Sequence, residues 1–244
     1  MKKIISFSLW CQEKQLNPSH VNQHKDVYTQ GAIMNTQLAG EFYPQWICRF
    51  YVDNTVPDTV IKKLKENGAE IVDMTGTDIP GMYWRFLVAD DKDVSTAIIR
   101  DTDSRINARD KMVVNEFLES DKVLHVIRDH PHHKYPILGG MWGIKLNTLD
   151  IKMETSIRHF LKKVNRPFRR MDDMVFLDLL TKNLMEYSIC HDNYYTEKYK
   201  NSVKFPDYNG GNEYYHYIGE YYDQWEKNPY YERDLKLIND FKFK

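Results

Sequence analysis

The sequence predicts an α/β protein with a mostly parallel sheet and helices on both faces. Three observations lead there. Apolar runs such as Ile4-Ile5 and Ala97-Ile98-Ile99 read as strands covered on both sides. Strand-like and helix-like stretches alternate up to about residue 120, the order that builds a parallel sheet. Polar residues gather abruptly after the mid-chain strand, and the ends of strands are where open α/β sheets bind ligands.

The elements follow in order. Lys3–Leu9 is a buried parallel strand, and the polar stretch Asn17–Asp26, with His20 and His24, is expected to be a loop. Gln30–Phe42 carries Ile33, Leu38 and Phe42 at helical spacing and stops before Pro44. Trp46–Val52 is a second strand. Pro57 opens a helix through Val60, Ile61 and Leu64, which Asn67-Gly68 closes. Ala69–Met74 is a third strand, Thr75–Gly81 a loop, and Tyr83–Leu87 a short helix or strand. Val94–Ile99 is the strand that delivers Asp101 and Asp103. Ala108–Ser120 is helical, with Met112, Val113, Phe117 and Leu118 as its apolar stripe. Val123–Ile127 is a strand leading into the irregular Arg128-Asp129-His130-Pro131-His132-His133. The glycines of Gly139-Gly140-Met141-Trp142-Gly143, set among large apolar residues, imply close approach of the backbone to a ligand or another strand. Ile151–Val164 and Asp172–Glu186 are helices, the second with an acidic first turn that suits the helix dipole. Ser188–Asp192 is a short strand. From Tyr208 the chain is aromatic and irregular with a turn at Asn209-Gly210-Gly211, and Lys227–Lys244 is a partly helical polar tail.

Composition narrows the function classes. A formal net charge of -1 gives no bulk reason to expect nucleic-acid or membrane-surface binding. No run approaches the ~20 apolar residues of a membrane span. The apolar part of Met1–Trp10 is too short for a signal peptide and ends at Gln12, so it reads as a first strand. Three cysteines, Cys11, Cys48 and Cys190, are odd in number and lack metal-type spacing, which fits a reducing, cytoplasmic setting.

Asp101 and Asp103 are two residues apart, so on an extended backbone their carboxylates project to one side. Two such carboxylates repel unless a hard cation sits between them. Arg100 and Arg105 flank them and would suit an anionic ligand such as phosphate. His191 is a candidate third ligand, and oxygen donors with one imidazole suit Mn or Mg better than a structural zinc. The three histidines at 130, 132 and 133 lack the spacing of a dedicated metal site, and Asp129 and His130 read as polar cleft residues for sugar hydroxyls or phosphate. Arg85, beside Trp84, can hold a phosphate or simply pack on the ring. Tyr214, Tyr215, Tyr217, Tyr221, Tyr222 and Trp225 can face a sugar ring or pack an extension onto the sheet. There is no dinucleotide glycine fingerprint, no phosphate-cradling loop and no nucleophile elbow.

Taken together, Arg100-Asp101-Thr102-Asp103-Ser104-Arg105, Arg128-Asp129-His130-Pro131-His132-His133 and Gly139-Gly140-Met141-Trp142-Gly143 resemble a family of sugar-nucleotide glycosyltransferase-like proteins of GT-A fold, of bacterial or giant-virus type. The resemblance runs from about Lys3 to Gly219. It implies one GT-A-like domain over residues 1–244, a Rossmann-like mixed sheet flanked by helices, with an aromatic C-terminal extension. Within it, 1–105 would be the nucleotide-sugar half, 106–226 the acceptor and metal half, and 227–244 a tail. It implies Mn2+ (or Mg2+) on Asp101, Asp103 and His191. It implies donor contacts from Ser8, Leu9, Trp10, Arg85, Asp101, Gly139 and Gly140, and catalytic roles for Asp173, Asp129 and His130. Met174 stands where the family pattern has Gln, so one polar contact is missing there. The implied activity is sugar transfer from a UDP- or GDP-sugar to a glycan or protein acceptor, without nucleic acid or a membrane span and with a homodimer left open. A nucleotidyltransferase and a catalytically silent sugar-nucleotide binder are the competing readings.

Overall fold

The computed structural model of the chain describes every residue except 12–20, 148, 168, 170, 200, 207–215 and 243–244, together with all side chains of the described residues except 21–26 and 242. His20, Tyr208, Asn209-Gly210-Gly211, Tyr214 and Tyr215 lie outside this set.

Among the described residues, eight strands form one mixed sheet in the order β3-β2-β1-β4-β6-β5-β7-β8. They are β1 (Lys2–Leu9), β2 (Ile47–Val52), β3 (Glu70–Asp73), β4 (Val94–Ile99), β5 (Leu124–Arg128), β6 (Trp142–Lys145), β7 (Ser188–Asp192) and β8 (Ser202–Val203). Only β6 runs against its neighbours, β4 and β5; every other pairing is parallel. The chain moves outward from β1 to β2 and β3, then returns to lay β4 on the other side of β1. The C-terminal ends of β1 and β4 therefore flank the point where the winding reverses, which is where open α/β sheets bind ligands.

Successive side chains on a strand face opposite ways, and the core records this. Ile4, Ala97, Ile99, Leu124, Val126, Trp142 and Cys190 share one cluster with Phe86, Phe160 and Phe176. That face is covered by α3 (Gly81–Trp84), the 3-10 turn Arg85–Asp90, α5 (Met153–Val164) and α6 (Asp172–Thr181). Ile5, Phe7, Leu9, Phe50 and Ile98 share another cluster with Ala32, Leu64 and Val114. The second face lies under α1 (Val21–Phe42), α2 (Asp58–Glu66) and α4 (Ala108–Glu119). A last helix, α7 (Tyr231–Lys242), follows the aromatic segment. Among the described residues, no helix is long and apolar enough to cross a membrane.

Several elements differ from expectation. α1 begins at Val21, so Val21–Asp26 is helical rather than loop; its polar first turns carry no apolar period to announce it. Tyr83–Leu87, expected as a short helix or strand, is the helical one of the two. α6 ends at Thr181, and a separate 3-10 turn at Met185–Tyr187 leads into β7, because Ser188 must pair with Leu124. Trp142–Lys145, not foreseen as an element, is the antiparallel insert β6.

The strand ends are tied by buried ion pairs. Arg128 donates from Nε to Asp192 Oδ2 at 2.6 Å with both side chains fully buried. Asp192 Oδ1 also accepts the backbone N–H groups of Tyr194 and Tyr195 at 2.8 Å each. Removing one partner of such a pair strands a charge in low dielectric. Asp192→Ala is expected to lower unfolding stability by about 3–5 kcal/mol in urea or guanidinium titration.

Candidate active site

Six residues from four parts of the chain meet beyond the ends of β1 and β4. Ile99 and Ile98 face opposite sides, so the pleat places Asp101 on the Ile99 side and Arg100 on the Ile98 side. Asp101 Oδ1 accepts a short hydrogen bond from Arg85 Nη1. Arg85 Nη2 lies 3.4 Å from Asp173 Oδ2, at the first turn of α6. The Arg85 guanidinium is buried and bridges two carboxylates, and its Nε has no hydrogen-bond partner.

Arg85 is held there by β1. Ser6 Oγ donates to the Arg85 carbonyl at 2.7 Å, and the Arg85 N–H donates to Ser8 Oγ at 2.9 Å. The expected donor residue Ser8 thus spends its hydroxyl on positioning Arg85. Gly139 and Gly140 lie against the same carboxylates. A Cβ on Gly139 would fall 2.2 Å from Asp173 Oδ2, and one on Gly140 would fall 2.0 Å from Asp101 Oδ2. Any side chain at either position would displace a carboxylate. Trp10 packs against Gly81 and meets Trp84 edge-on at 5.9 Å. Leu9 is a core residue on the opposite face, so its side chain does not reach the site.

Burial, and then the charge of Asp101, push the Asp103 carboxyl up to about 7. Burial also raises Asp173, opposed by Arg85. Three carboxylates thus surround one guanidinium, an excess of two negative charges when all are ionised. Carboxylate oxygens are the donors a hard divalent cation prefers, and Asp101 and Asp103 are the residues here that could hold one.

His191 does not belong to it. It follows Cys190, which shares a cluster with Ile99 and Phe86, so His191 faces the other side of the sheet. β7 is also three strands from β4, on the order of 14 Å at a spacing of ~4.8 Å. Its Nδ1 is 2.9 Å from His125 Nε2 and its Nε2 is 2.8 Å from Glu116 on α4, so both ring nitrogens are engaged. Among the described residues, no group of three or more His, Cys, Asp or Glu is arranged to hold a metal by protein ligands alone.

Asp129 and His130 are also elsewhere. Asp129 is fully buried, takes two hydrogen bonds from Arg109 at 2.7 and 2.8 Å, and accepts the Ile218 N–H at 3.0 Å. His130 stacks on Tyr217 at 4.4 Å and lies 3.8 Å from Asp234. This segment seats the C-terminal extension and does not line the carboxylate site. Nor do the flanking arginines stand ready for phosphate. Arg100 is buried on Asp110 at 2.6 and 2.9 Å, and Arg105 grips Glu226 at 2.7 and 2.8 Å.

Two supports were not legible in the sequence. Asn35 of α1 donates to the Ser104 carbonyl at 2.8 Å and accepts the Ile106 N–H at 3.0 Å, fixing the loop that carries Asp103. Tyr222 N–H donates to the Asp103 carbonyl at 2.9 Å, and the Arg105 guanidinium sits over the Tyr222 ring at 5.2 Å. Asn35 and Ser104 are 69 residues apart in sequence, and Asp103 and Tyr222 are 119 apart, beyond any local signal.

The raised Asp103 value has a thermodynamic consequence. A carboxyl whose value is higher in the folded state favours folding at acid pH, and that contribution is lost as pH rises through about 7. Asp103→Asn is expected to raise the melting temperature of the metal-free protein at pH 8 by about 2–4 °C, corresponding to about 1 kcal/mol, and to change it little at pH 4. Differential scanning fluorimetry at the two pH values checks this.

No protein-family model matches the chain, and no curated protein matches it. Among solved structures, an active-site mutant of LgtC is similar at 13% identity with TM-score 0.49, over 98% of this chain and 96% of that one. The glycosyltransferase GlyE of Streptococcus pneumoniae is similar at 12% identity with TM-score 0.48, over 80% of this chain and 46% of GlyE. A cytidylyltransferase from Leptospira borgpetersenii is similar at 10% identity with TM-score 0.45, over 79% of this chain and 75% of that one.

Proposed function

We propose that the chain is a divalent-metal-dependent glycosyltransferase of the GT-A type, moving a sugar from a UDP- or GDP-sugar to a glycan or protein acceptor. One observation carries this reading. Asp101, Asp103 and Asp173 converge on Arg85 beyond the strand ends where the sheet reverses its winding.

Transfer from a nucleotide sugar breaks the bond between the anomeric carbon and a diphosphate oxygen. Negative charge grows on the departing diphosphate, and the site must neutralise it. Asp101 and Asp103 would hold Mn2+ or Mg2+, which supplies Lewis-acid stabilisation of that leaving group when bound. Arg85 adds a fixed positive charge, preorganised by Ser6 and Ser8 so that it need not reorient during reaction. Asp173 stands 3.4 Å from Arg85 at the head of α6, where it can orient the hydroxyls of the transferred sugar. The bare backbone at Gly139 and Gly140 lets the carboxylates close around the ligand from the β6 side. Trp10, at the end of β1, offers a flat face for the base.

Wild-type protein is expected to bind UDP or GDP more tightly with Mn2+ than without it in isothermal titration calorimetry. Asp103→Ala should lose the metal-dependent part at unchanged circular dichroism. Unchanged affinity in that variant would remove Asp103 from the metal site. Incubation with UDP- and GDP-sugars should release nucleoside diphosphate. Release of pyrophosphate from a nucleoside triphosphate and a sugar phosphate would instead identify a nucleotidyltransferase.

A further inference from the structure

α6 carries apolar side chains on every side, and the core takes only some of them. Six of its ten residues are apolar. Phe176 and Leu177 are buried, Phe176 against Phe160 of α5 with ring centroids 5.5 Å apart. Val175 and Leu179 point the other way and are 53% and 62% exposed. Met171, at the head of the helix, is 36% exposed. These three are spaced four residues apart, so the helical repeat stacks them in one stripe about 12 Å long. A helix that is apolar all round is ordinarily buried all round, and this one meets water along the stripe.

Cations bracket the stripe. At its head, α5 ends in the exposed Lys162 and Lys163, and the linker to α6 adds the exposed Arg166 and Arg169. Arg166 donates two hydrogen bonds of 2.8 Å to Asp172, which ties this basic linker to the first turn of α6. At its foot stands the exposed Lys182, three residues past Leu179. Among the described residues, Lys162, Lys163 and Lys182 have no ion-pair partner. Asp173 is turned to Arg85, so Asp172 and Asp178 are the carboxylates left to offset these cations. The surface is therefore locally positive, although the whole chain has a formal charge of -1.

This chemistry selects the occupant. Aliphatic side chains set between lysines suit the boundary of a bilayer, where the aliphatics meet the acyl chains. Each lysine lays its stem along them and lifts its ammonium to the lipid phosphates. Nucleic acid would satisfy the lysines and leave Val175 and Leu179 in water. Protein partners are gripped chiefly through Trp, Tyr and Arg anchors, and Met171, Val175 and Leu179 supply none.

We infer that the outer face of α5 and α6 docks on an anionic lipid bilayer, with Met171, Val175 and Leu179 entering its surface and the flanking cations on its phosphates. This holds whether or not the candidate site transfers a sugar. Co-sedimentation of the full chain with vesicles tests it. The wild type is expected to pellet with vesicles of phosphatidylcholine and phosphatidylglycerol in equal parts, and to stay in solution with phosphatidylcholine alone. Raising the salt concentration should weaken the binding, because the headgroup attraction is screened. Val175→Ser combined with Leu179→Ser should lower the partition about tenfold, and Lys162→Glu combined with Lys163→Glu should lower it at least as much. All four side chains are outside the core, so both variants are expected to fold, and circular dichroism verifies it. Failure to pellet with the mixed vesicles, equal binding to both lipids, or a partition unchanged by the serine substitutions overturns the inference. So does a concentration-dependent dimer in sedimentation velocity that the serine substitutions abolish, because a second copy would then be the occupant.

Discussion

The candidate site depends on one electrostatic balance, three carboxylates gathered around a single guanidinium. Arg85 neutralises Asp101 and Asp173 together, and without it the strand ends would carry three mutually repelling charges in a partly buried crevice. The fold therefore invests in fixing Arg85. Two serines of the central strand hold its backbone on both sides, from the N–H and from the carbonyl. What remains is an excess of negative charge. It is tolerable because burial and the Asp101 charge raise the Asp103 carboxyl to about 7, so Asp103 is partly protonated near neutrality.

Pleat parity separates the Arg-Asp pair of the candidate site from its structural twin. Arg100-Asp101 and Arg128-Asp129 both end buried strands. In the first, Arg100 turns toward α4 and pairs with Asp110, which leaves Asp101 on the opposite face with Arg85. In the second the parity is reversed. Asp129 turns toward α4 and pairs with Arg109, and Arg128 takes Asp192 on the other face. The same dipeptide thus supplies a carboxylate of the candidate site in one place and a structural one in the other. A strand's register, set by which residues its two faces must bury, decides which.

The C-terminal segment joins these two regions. At Ile218 and Tyr217 it docks on Asp129 and His130, and at Tyr222 and Glu226 it clasps the loop holding Asp103 and Arg105. The histidine-rich loop is therefore a seat for the extension. Packing accounts for Tyr217 and Tyr222, while Trp225 is left facing water.

The order of strands and helices was legible in the sequence because it rests on local periodicity and burial. Apolar runs gave β1, β2 and β4, Pro57 and Asn67-Gly68 bracketed α2, and the run Ala97-Ile98-Ile99 put Asp101 and Asp103 just past a strand end, where the chain turns rather than staying extended. The paired glycines were also readable as a place of close approach. Which distant residues meet was not legible. His191 is at a strand end with the right chemistry, but one step of pleat turns it to the opposite face. Asp129 and His130 are claimed by the extension, and Asp173 reaches Arg85 across 88 residues of chain. Local pattern fixes what each segment can be, because its causes lie within a few residues. Only the closed sheet determines the partners, because strand order and facing are settled by burying every face at once.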